Sequence, residues 1–464
     1  MTGIELFDAL AGELRPLTLR EPGRVALYAC GPTVYDHPHL GHARSALTYD
    51  VLRRYLEWRG LDVRHVANIT DIDDKIIDRA RREGRTESEV AAEWEAVYFD
   101  VMARLDVLDP HDRPRATGWV AEMVDFIGRI MDAGAAYTTG TGVYLRVGGV
   151  DGYGDLVHRS LDDLRASAGA RVEVDEAKED PLDFALWKAA KPDEPSWPSP
   201  WGPGRPGWHI ECVAMSLGIL GDDFDIHGGG NDLVFPHHTN ERAEALAVGR
   251  PFARHWVHNA MLNIEGTKMS KSLGNYRTVV EMLDEHPLNG RAFRLLVLQT
   301  HYRKTMEVNP QLMASARAAV QRLDALARRA AATGADRDQG TGRRDEAAVD
   351  AFRAAMDNDI GTPEAVAVIF DTLHRANAAL DGSTEDAPRL VATVVELAGA
   401  LGVAVDAPAR GDGVVDSAVE ELVAKRQAAR EAKDWATADA LRGELSALGV
   451  VVEDTPAGPV WRRA

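Results

Sequence analysis

Apolar and polar positions near the start of the chain follow a pattern that predicts a strand, a helix and a second strand. Residues 24–30, RVALYAC, form a short apolar run typical of a buried strand. Over residues 40–59 apolar side chains recur at helical spacing, and Gly60 is placed to end that helix. Residues 62–69, DVRHVANI, predict the second strand. Because strand, helix and strand in this order form a right-handed crossover, we predict a parallel sheet.

The rest of the chain divides into segments of different character. Residues 71–135 are mostly helical and charged, whereas residues 136–206 contain short β-like runs (GVYLRV, ARVEV) and a stretch rich in Pro and Trp. An α/β pattern returns over 207–264, and Ala-, Arg- and Leu-rich helical segments follow from about residue 288. We therefore predict an α/β nucleotide-binding domain that an insertion interrupts and α-helical domains follow.

The composition restricts the classes of protein to which the chain can belong. Of its 464 residues 45% are hydrophobic, and no apolar run approaches the roughly 18 residues that a membrane span needs. The acidic N-terminal segment has no basic region, so we expect no signal peptide and a cytoplasmic location without membrane association. The net charge of −20 argues against a general nucleic-acid coat protein, although a local basic patch can still bind RNA.

Two cysteines, Cys30 and Cys212, are too few for a disulfide framework and favour a reducing compartment. Taken alone, they are two unrelated buried thiols. Further along, His237 and Glu241 stand four residues apart, so on one helix both side chains face the same way. Two thiolates, an imidazole and a carboxylate are a plausible tetrahedral zinc set. Their long-range spacing leaves a second interpretation open, a buried Cys pair beside a surface histidine cluster.

The segment His39-Leu40-Gly41-His42 lies between the first predicted strand and the helix. Such a junction presents unpaired backbone N–H groups to an anion, and Gly41 lets a phosphate approach the backbone closely. His39 and His42 share a face of the first helical turn, so both can donate hydrogen bonds to an α-phosphate in its transition state. A metal site or a chance cluster is the alternative.

A basic segment, Lys268-Met269-Ser270-Lys271-Ser272, lies between glycines. Its two lysines can close on a pyrophosphate as charge builds on it, whereas a solvated basic loop is the ordinary interpretation of such a cluster. The glycine-rich turn over 225–232 is a further candidate nucleotide contact. Its glycines, including Gly230, permit close contact with a nucleoside, and Asp232 can accept hydrogen bonds from ribose hydroxyls.

In this order, HLGH and KMSKS resemble the HIGH and KMSKS signatures of class I aminoacyl-tRNA synthetases. The resemblance implies a Rossmann-type class I synthetase catalytic domain with an inserted connective segment. It implies that His39 and His42 stabilise the α-phosphate transition state. It also implies that Lys268 and Lys271 hold the departing pyrophosphate. Leu40 replaces the usual isoleucine, an apolar exchange of little expected effect.

A closer resemblance, over almost the whole chain, is to the cysteinyl-tRNA synthetase family. The strings YACGPTVYDHPHLGHAR, NITDIDDK, PGWHIEC, IHGGGNDLVFPHH and KMSKSLGN carry it. In that family one zinc ion per chain, held by two Cys, a His and a Glu, binds the thiolate of the substrate cysteine. Such a metal rejects amino acids that lack a thiol, so no editing domain is required. Motif by motif, the zinc ligands fall on Cys30, Cys212, His237 and Glu241, and the amino-acid pocket on Gly31, Thr70 and Trp208.

The resemblance extends to the C-terminal segment, which is similar to the family's anticodon-recognition tail. Its basic residues can contact RNA phosphates, whereas a solvated helix with internal ion pairs is the alternative. This chain departs from the family at Thr239, where a glutamate is usual, and at Gly361, where an asparagine is usual. The expected tRNA contacts are Lys425, Arg426, Arg430 and Lys433.

The implied partners are L-cysteine, ATP and tRNA(Cys), with Mg²⁺ accompanying ATP, and we expect a monomer. Two rivals stay open. One is a paralogous ligase of mycothiol synthesis that joins cysteine to a glucosaminyl-inositol and lacks the anticodon tail. The other is a non-catalytic RNA-binding relative that has lost some of the motifs. The expected domains are the catalytic halves 1–135 and 207–264, the connective insertion 136–206, the KMSKS loop and stem-contact region 265–310, the helical bundle 311–404 and the anticodon-binding domain 414–464.

Overall fold

The computed structural model describes residues 3–166, 176–268, 276–335, 344–405, 416–455 and 458–463. Within these ranges, none of the helices has the length and apolar character that crossing a membrane requires. The chain forms two compact units. The first comprises Met1–Met313, Ala354–Pro363 and Ala400–Gly402, and the second comprises Ala314–Arg353, Glu364–Gly399 and Val403–Ala464.

Strands and helices alternate through the first half of the chain, and helices dominate the second half. The strands are β1 (Glu5–Asp8), β2 (Glu13–Pro16), β3 (Arg24–Ala29), β4 (Asp62–Ala67), β5 (Ala136–Thr138), β6 (Gly142–Leu145), β7 (Phe184–Ala189), β8 (Gly204–Pro206), β9 (Phe224–Gly230), β10 (Ala253–Asn259), β11 (Leu262–Ile264), β12 (Thr267–Lys268), β13 (Met306–Val308), β14 (Val450–Thr455) and β15 (Gly458–Arg463). The α-helices are α1 (Leu40–Trp58), α2 (Asp74–Glu83), α3 (Glu87–Arg104), α4 (Val120–Asp132), α5 (Leu161–Ala166), α6 (Trp208–Leu220), α7 (Thr239–Ala247), α8 (Val279–Asp284), α9 (Asn289–Leu298), α10 (Pro310–Thr333), α11 (Glu346–Asp357), α12 (Thr362–Asp381), α13 (Ala387–Gly399), α14 (Asp416–Glu431) and α15 (Trp435–Ala447).

A parallel sheet of strand order β10-β9-β3-β4 forms the centre of the first unit. The predicted crossover is confirmed, because β3, α1 and β4 occur where the hydrophobic pattern places them. Helix α1 ends at Trp58, and Gly60 adopts a φ of 80° that suits glycine. Strand β3 ends at Ala29, one residue before the predicted end, so Cys30 already lies beyond the strand.

The strand order reverses between β3 and β9, since β4 lies on one side of β3 and β10 lies beyond β9. In such sheets ligands bind outside the carboxyl ends of the strands, at the point of reversal. Cys30, Asn68, Gly230 and Asn259 lie at or just past the carboxyl ends of the four strands. The topology therefore predicts a ligand site at this edge of the sheet.

An antiparallel sheet of order β5-β6-β7-β8 occupies the predicted insertion. Of the two β-like runs, GVYLRV contributes β6, whereas ARVEV lies outside the described residues. The Pro- and Trp-rich stretch ends in β8, which pairs with β7 around the fully buried Trp187. The sequence pattern did not predict β7, because it is buried along most of its length and shows little alternation.

The second unit is helical up to its final module. In that module α14 and α15 pack with the hairpin β14–β15 around a small core of Val419, Val423, Leu445, Val450 and Val452. The apolar end seen in the sequence is thus a β-hairpin. The predicted loops at 332–344 and 405–414 fall mostly outside the described residues. The domain boundaries expected from the sequence stay predictions.

Candidate active site

A cavity of about 340 Å³ opens at the carboxyl edge of the parallel sheet. Segments that follow β3, β4, β9 and β10 contribute to its walls, together with the start of α1. The cavity brings together many of the residues that the sequence predicts for nucleotide and amino acid, namely Cys30, Gly31, His39, Gly41, His42, Trp208, Gly230 and Asp232.

The two histidines of HLGH cap the first turn of α1. His39 is the N-cap residue, and its Nδ1 accepts hydrogen bonds from the N–H groups of Gly41 (3.1 Å) and His42 (3.3 Å). In return, Nδ1 of His42 accepts the N–H of His39 at 3.2 Å, which completes a capping box made of imidazoles. The two rings stack with centroids 3.7 Å apart.

These caps determine the tautomer of both rings. A neutral imidazole nitrogen that accepts a hydrogen bond carries no proton, so the proton of each ring is on Nε2. Both Nε2–H groups are therefore donors at the positive end of α1, where a helix N-terminus favours an anion. The arrangement can hold phosphate oxygens, as the sequence predicts.

Close packing at the end of β9 requires glycine in the glycine-rich turn. A Cβ atom on Gly228 would lie 2.2 Å from the ring of Tyr49, whose hydroxyl donates to the carbonyl of Gly229 at 2.8 Å. A Cβ on Gly230 would lie 2.3 Å from Oδ1 of Asp232. Glycine at both positions therefore lets α1 and Asp232 approach the backbone of the turn.

The basic KMSKS segment lies only partly within the described residues. Lys268 ends β12, but its side chain is not among the parts that the structure describes. Lys271 lies outside the described residues. The predicted contact of these lysines with pyrophosphate stays a prediction.

The four predicted zinc ligands converge on one point. Each of Cys30, Cys212, His237 and Glu241 offers one donor atom, and these atoms all lie within 4.8 Å of one another. The two Sγ atoms are 3.7 Å apart, and Nε2 of His237 lies 2.9 Å from Oε1 of Glu241. Three of the side chains are fully buried. The surface histidine cluster of the alternative interpretation is therefore wrong, since His237 and His238 are both buried.

The charges of this cluster suit a metal cation. Burial by itself would raise the pKa of Glu241, but His227 and His237 hold it well below its usual value. Burial likewise opposes ionisation of Cys212, yet the hydrogen bond from Cys30 and the nearby His237 lower the pKa of that thiol to about 6. Ionised groups without water need a nearby cation. Once deprotonated, two sulfurs, one imidazole and one carboxylate match the donors that zinc prefers.

Two further histidines, which the sequence reasoning missed, border the cluster. His227 lies in β9 with Nε2 2.9 Å from Oε2 of Glu241 and 3.6 Å from Sγ of Cys30. Together with His238, Cys30 and Glu241 it forms a second group of four donors within 4.8 Å. The signal was the histidine before the glycines of IHGGG and the second histidine of FPHH. The spacing of these two histidines in the sequence does not indicate that their side chains face the metal ligands.

The predicted amino-acid pocket lies beside the cluster. The ring of Trp208 stacks on His237 with centroids 4.1 Å apart and remains 37% exposed at the cavity. Gly31 donates its N–H to Oδ1 of Asn68, and a Cβ on Gly31 would collide with the carbonyl of Asn68. Thr70 is buried, and its hydroxyl donates to Oε2 of Glu211 at 2.8 Å. Trp208 and Gly31 line the cavity, whereas Thr70 lies outside its lining.

Comparison with known proteins places this site in a family. The model described as "tRNA synthetases class I (C) catalytic domain" matches residues 17–318. The cysteine–tRNA ligase of Symbiobacterium thermophilum is 45% identical over 474 residues that cover 100% of both chains. The chain belongs to the cysteinyl-tRNA synthetase family.

Other comparisons agree with membership of the cysteinyl-tRNA synthetase family. A DALR domain model matches residues 351–405, and a cysteinyl-tRNA ligase anticodon binding domain model matches residues 412–462. The cysteine–tRNA ligase of Pseudomonas paraeruginosa is 45% identical over 99% of this chain and 100% of its own length. That of Synechococcus elongatus is 44% identical over 99% of each chain.

Solved structures of other synthetases share the fold of this cysteinyl-tRNA synthetase family member. Methionyl-tRNA synthetase of Mycobacterium tuberculosis, in complex with methionyl-adenylate, superposes with a TM-score of 0.58 at 15% identity, over 82% of this chain and 90% of that chain. The leucyl enzyme AgnB2 of Agrobacterium radiobacter, in complex with tRNA, gives 0.61 at 11% identity, over 83% and 85%. At these identities the likeness shows the class I fold.

One of the four residues predicted to contact tRNA, Arg426, is buried in the structure. Arg426 is 2% exposed, and its guanidinium forms two hydrogen bonds with the carboxylate of Asp454, at 2.7 and 2.9 Å. A buried guanidinium cannot reach a phosphate, so the prediction for Arg426 is replaced by a structural role. Lys425 and Lys433 are exposed, and Arg430 is partly exposed. Trp435, which the sequence reasoning did not single out, is 58% exposed.

Proposed function

We propose that this protein ligates L-cysteine to tRNA(Cys) in two ATP-dependent steps, through a cysteinyl-adenylate. The observation that carries the proposal is the convergence of Cys30, Cys212, His237 and Glu241 next to the capped histidines of HLGH. A cluster that can hold a thiol-selective metal and a helix end that can hold a phosphate border on one cavity. The match of the chain to cysteine–tRNA ligases along its full length supports the same activity.

In the first step the carboxylate of cysteine attacks the α-phosphorus of ATP, and pyrophosphate leaves. The Nε2–H groups of His39 and His42 donate to the α-phosphate oxygens as charge builds on them. The backbone of Gly230 and the carboxylate of Asp232 hold the ribose. Lys268 and Lys271 neutralise the pyrophosphate, and Mg²⁺ accompanies ATP.

The amino acid is selected at the cluster. Bound there by Cys30, Cys212, His237 and Glu241, one Zn²⁺ supplies a Lewis-acidic position that prefers a thiolate. Trp208 covers the ring of His237 and excludes water from it, and Gly31 packs against the backbone of Asn68 while it lines the cavity. Thr70, whose hydroxyl donates to Glu211, supports this pocket from outside the lining of the cavity.

In the second step the terminal adenosine of tRNA attacks the adenylate, and AMP leaves. Lys425, Arg430 and Lys433 supply cationic contacts to the tRNA backbone, and the exposed ring of Trp435 offers a surface on which a base can stack. The match over residues 412–462 favours tRNA over an amino sugar as acceptor. The protein acts as a monomer in the cytoplasm.

The test measures bound zinc together with two activities in the wild type, in Cys212→Ser and in Ser216→Ala. Ser216 is a matched control, because it lies buried one turn further along α6 and donates to the carbonyl of Val213. We expect about one zinc per chain and cysteine-dependent ATP–pyrophosphate exchange in the wild type and the control. In Cys212→Ser zinc is lost and exchange falls more than about 100-fold.

Acylation assays on tRNA and on glucosaminyl-inositol separate the synthetase from its paralogue. The proposal requires acylation of tRNA and none of the amino sugar. Undiminished exchange in a zinc-free Cys212→Ser protein would reject the metal assignment. Absence of cysteine-dependent exchange in the wild type would reject the activity.

A further inference from the structure

Two short segments, far apart in sequence, run antiparallel beside the start of α1. The N–H of Val279 donates to the carbonyl of Pro38 at 2.8 Å, and the N–H of Leu40 donates to the carbonyl of Arg277 at 3.3 Å. A β-bridge joins His39 to Thr278. The first histidine of HLGH is thus held by backbone that comes from the residues before α8.

Tyr276 precedes this bridge and contacts the side chain of His39. The tyrosine ring and the imidazole are nearly perpendicular, with centroids 5.6 Å apart and planes at 79°. The hydroxyl of Tyr276 donates to the carbonyl of His37 at 3.1 Å, which holds the tyrosine against the same loop. His42 stacks on His39 at 3.7 Å, so His39 has an aromatic neighbour on its face and another beside it.

These contacts restrict the orientation of the His39 ring, which the N-cap hydrogen bonds alone do not determine. The bonds to Nδ1 of His39 select the tautomer, but an imidazole can still tilt about that acceptor atom. A tilt moves Nε2, the nitrogen that donates to the phosphate. The reaction is sensitive to such a movement, because misplacement of a reacting group by about 1 Å can lower the rate about 100-fold. The ring of Tyr276, which its own hydrogen bond anchors, packs against the imidazole in a perpendicular geometry that is favourable for aromatic rings, and this contact opposes a tilt of His39.

We propose that Tyr276 is a positioning residue for the phosphate-binding imidazole of His39, an inference that rests on the proposed function. It acts through His39 and lies outside the set of described residues that line the cavity. The ring of Tyr276 supplies the effect on the reaction, and its hydroxyl supplies the anchor to the loop.

The test compares Tyr276→Phe, Tyr276→Leu and Tyr276→Ala in cysteine-dependent ATP–pyrophosphate exchange, with kcat and the KM of ATP determined separately. Arg277→Ala is the matched control, since its side chain pairs with Glu285 while its backbone makes the contact with Leu40. Bound zinc and the thermal unfolding midpoint are measured for every variant.

We expect Tyr276→Phe to keep kcat within about fivefold, because it loses one neutral hydrogen bond and keeps the ring. Tyr276→Leu and Tyr276→Ala lower kcat by about 10- to 100-fold, with the KM of ATP and the zinc content close to wild type. Arg277→Ala stays within about twofold. In a His39→Ala background, Tyr276→Ala costs less than about twofold more, because the residue through which it acts is gone.

Three results would overturn the inference. One is wild-type kcat in Tyr276→Ala. Another is a loss of kcat as large in the His39→Ala background as in the wild type. The third is a loss that matches only the unfolded fraction in all three Tyr276 variants. Failure of the proposed function is a separate result, because it is absence of cysteine-dependent exchange in the wild-type protein itself.

Discussion

His39 and His42 each accept a hydrogen bond from the backbone of the other. Nδ1 of His39 receives the N–H of His42, and Nδ1 of His42 receives the N–H of His39. The same side chains therefore begin helix α1 and select their own protonated nitrogen. A structural role and a chemical role coincide in one pair of rings, and substitutions can separate them.

The two roles of His39 are separated by asparagine. Asparagine is a good N-cap residue and can accept the backbone N–H groups, but it is too short to reach a ligand as Nε2 does. We expect His39→Asn to unfold near the wild-type temperature while kcat for ATP–pyrophosphate exchange falls by about 10²- to 10³-fold. His39→Ala should also lose about 1 kcal/mol of stability. Equal unfolding temperatures for the Asn and Ala variants would contradict the capping role.

Metal binding to the cluster should release protons near neutral pH. In the metal-free protein burial opposes a charge on His237, but Glu241 outweighs it and raises the pKa of the imidazole to about 10. Burial, with Cys212 and Glu241 nearby, raises the pKa of the Cys30 thiol well above its usual value. Both groups hold protons at neutral pH, and a metal ligand must be deprotonated, so zinc affinity should rise with pH.

Calorimetry of zinc binding in buffers of different ionisation enthalpy measures this release. Protons from His237 and Cys30 should appear, with little from Cys212, whose pKa of about 6 leaves it largely ionised. Ser216→Ala serves as the control and should release the same number. A zinc affinity that does not change between about pH 6 and pH 9 would show that His237 and Cys30 are not ligands.

A buried ion pair between Asp50 and Arg294 should contribute strongly to stability. The carboxylate lies 2.5 Å from the guanidinium, and the two side chains are 0% and 2% exposed. Asp50→Asn keeps the acceptor for the N–H of Leu108 but leaves a buried cation without its carboxylate. We expect it to lower the free energy of unfolding by about 3–5 kcal/mol.

Asp62→Asn is the matched control for that substitution. Asp62 pairs with Arg24 at 3.5 Å, with both side chains more than two-thirds exposed. The control should change the free energy of unfolding by less than about 1 kcal/mol in urea denaturation. Similar losses in the two variants would show that burial of the Asp50 pair has no special effect.

The C-terminal module should lose stability in acid through Asp454. Its pKa is held below the usual value, first by hydrogen bonds from Arg426 and then by the nearby Arg430. Because the folded pKa is lower than the unfolded one, the contribution is complete above about pH 4 and is lost as the pH falls through the folded value. Asp454→Asn should remove this acid dependence and leave the buried Arg426 without a charged partner, which lowers the unfolding midpoint of the module at neutral pH.

Circular dichroism of the full chain as a function of pH, with and without the substitution, measures that contribution. Lys425→Gln is a suitable control, because Lys425 pairs with Glu421 at the surface. An acid transition unchanged by Asp454→Asn would assign it to other carboxylates.

Local patterns in the chain were enough to predict the β3–α1–β4 crossover and the start of α1 at HLGH. Both depend on neighbours a few residues apart, through the period of buried positions and the residues that begin and end a helix. The sequence did not predict that the imidazole of His39 accepts the N–H groups of Gly41 and His42. The resemblance of several motifs to one family was enough to name the metal donors. Their convergence on one point could not follow from spacing, because Cys30 follows β3 and Glu241 lies in α7, and these parts of the chain meet only in the folded protein.

Only the tertiary structure decided which side chains face each other across the fold. It placed His227 and His238 beside Glu241, buried Arg426 against Asp454, and brought Tyr276 to the ring of His39. The pairs His227–Glu241, Arg426–Asp454 and Tyr276–His39 join distant parts of the chain, and their distances are set by how sheets and helices pack. The chain alone specifies the groups and their chemistry, and packing specifies their partners, because side-chain interactions act over a few ångströms of space regardless of separation in sequence.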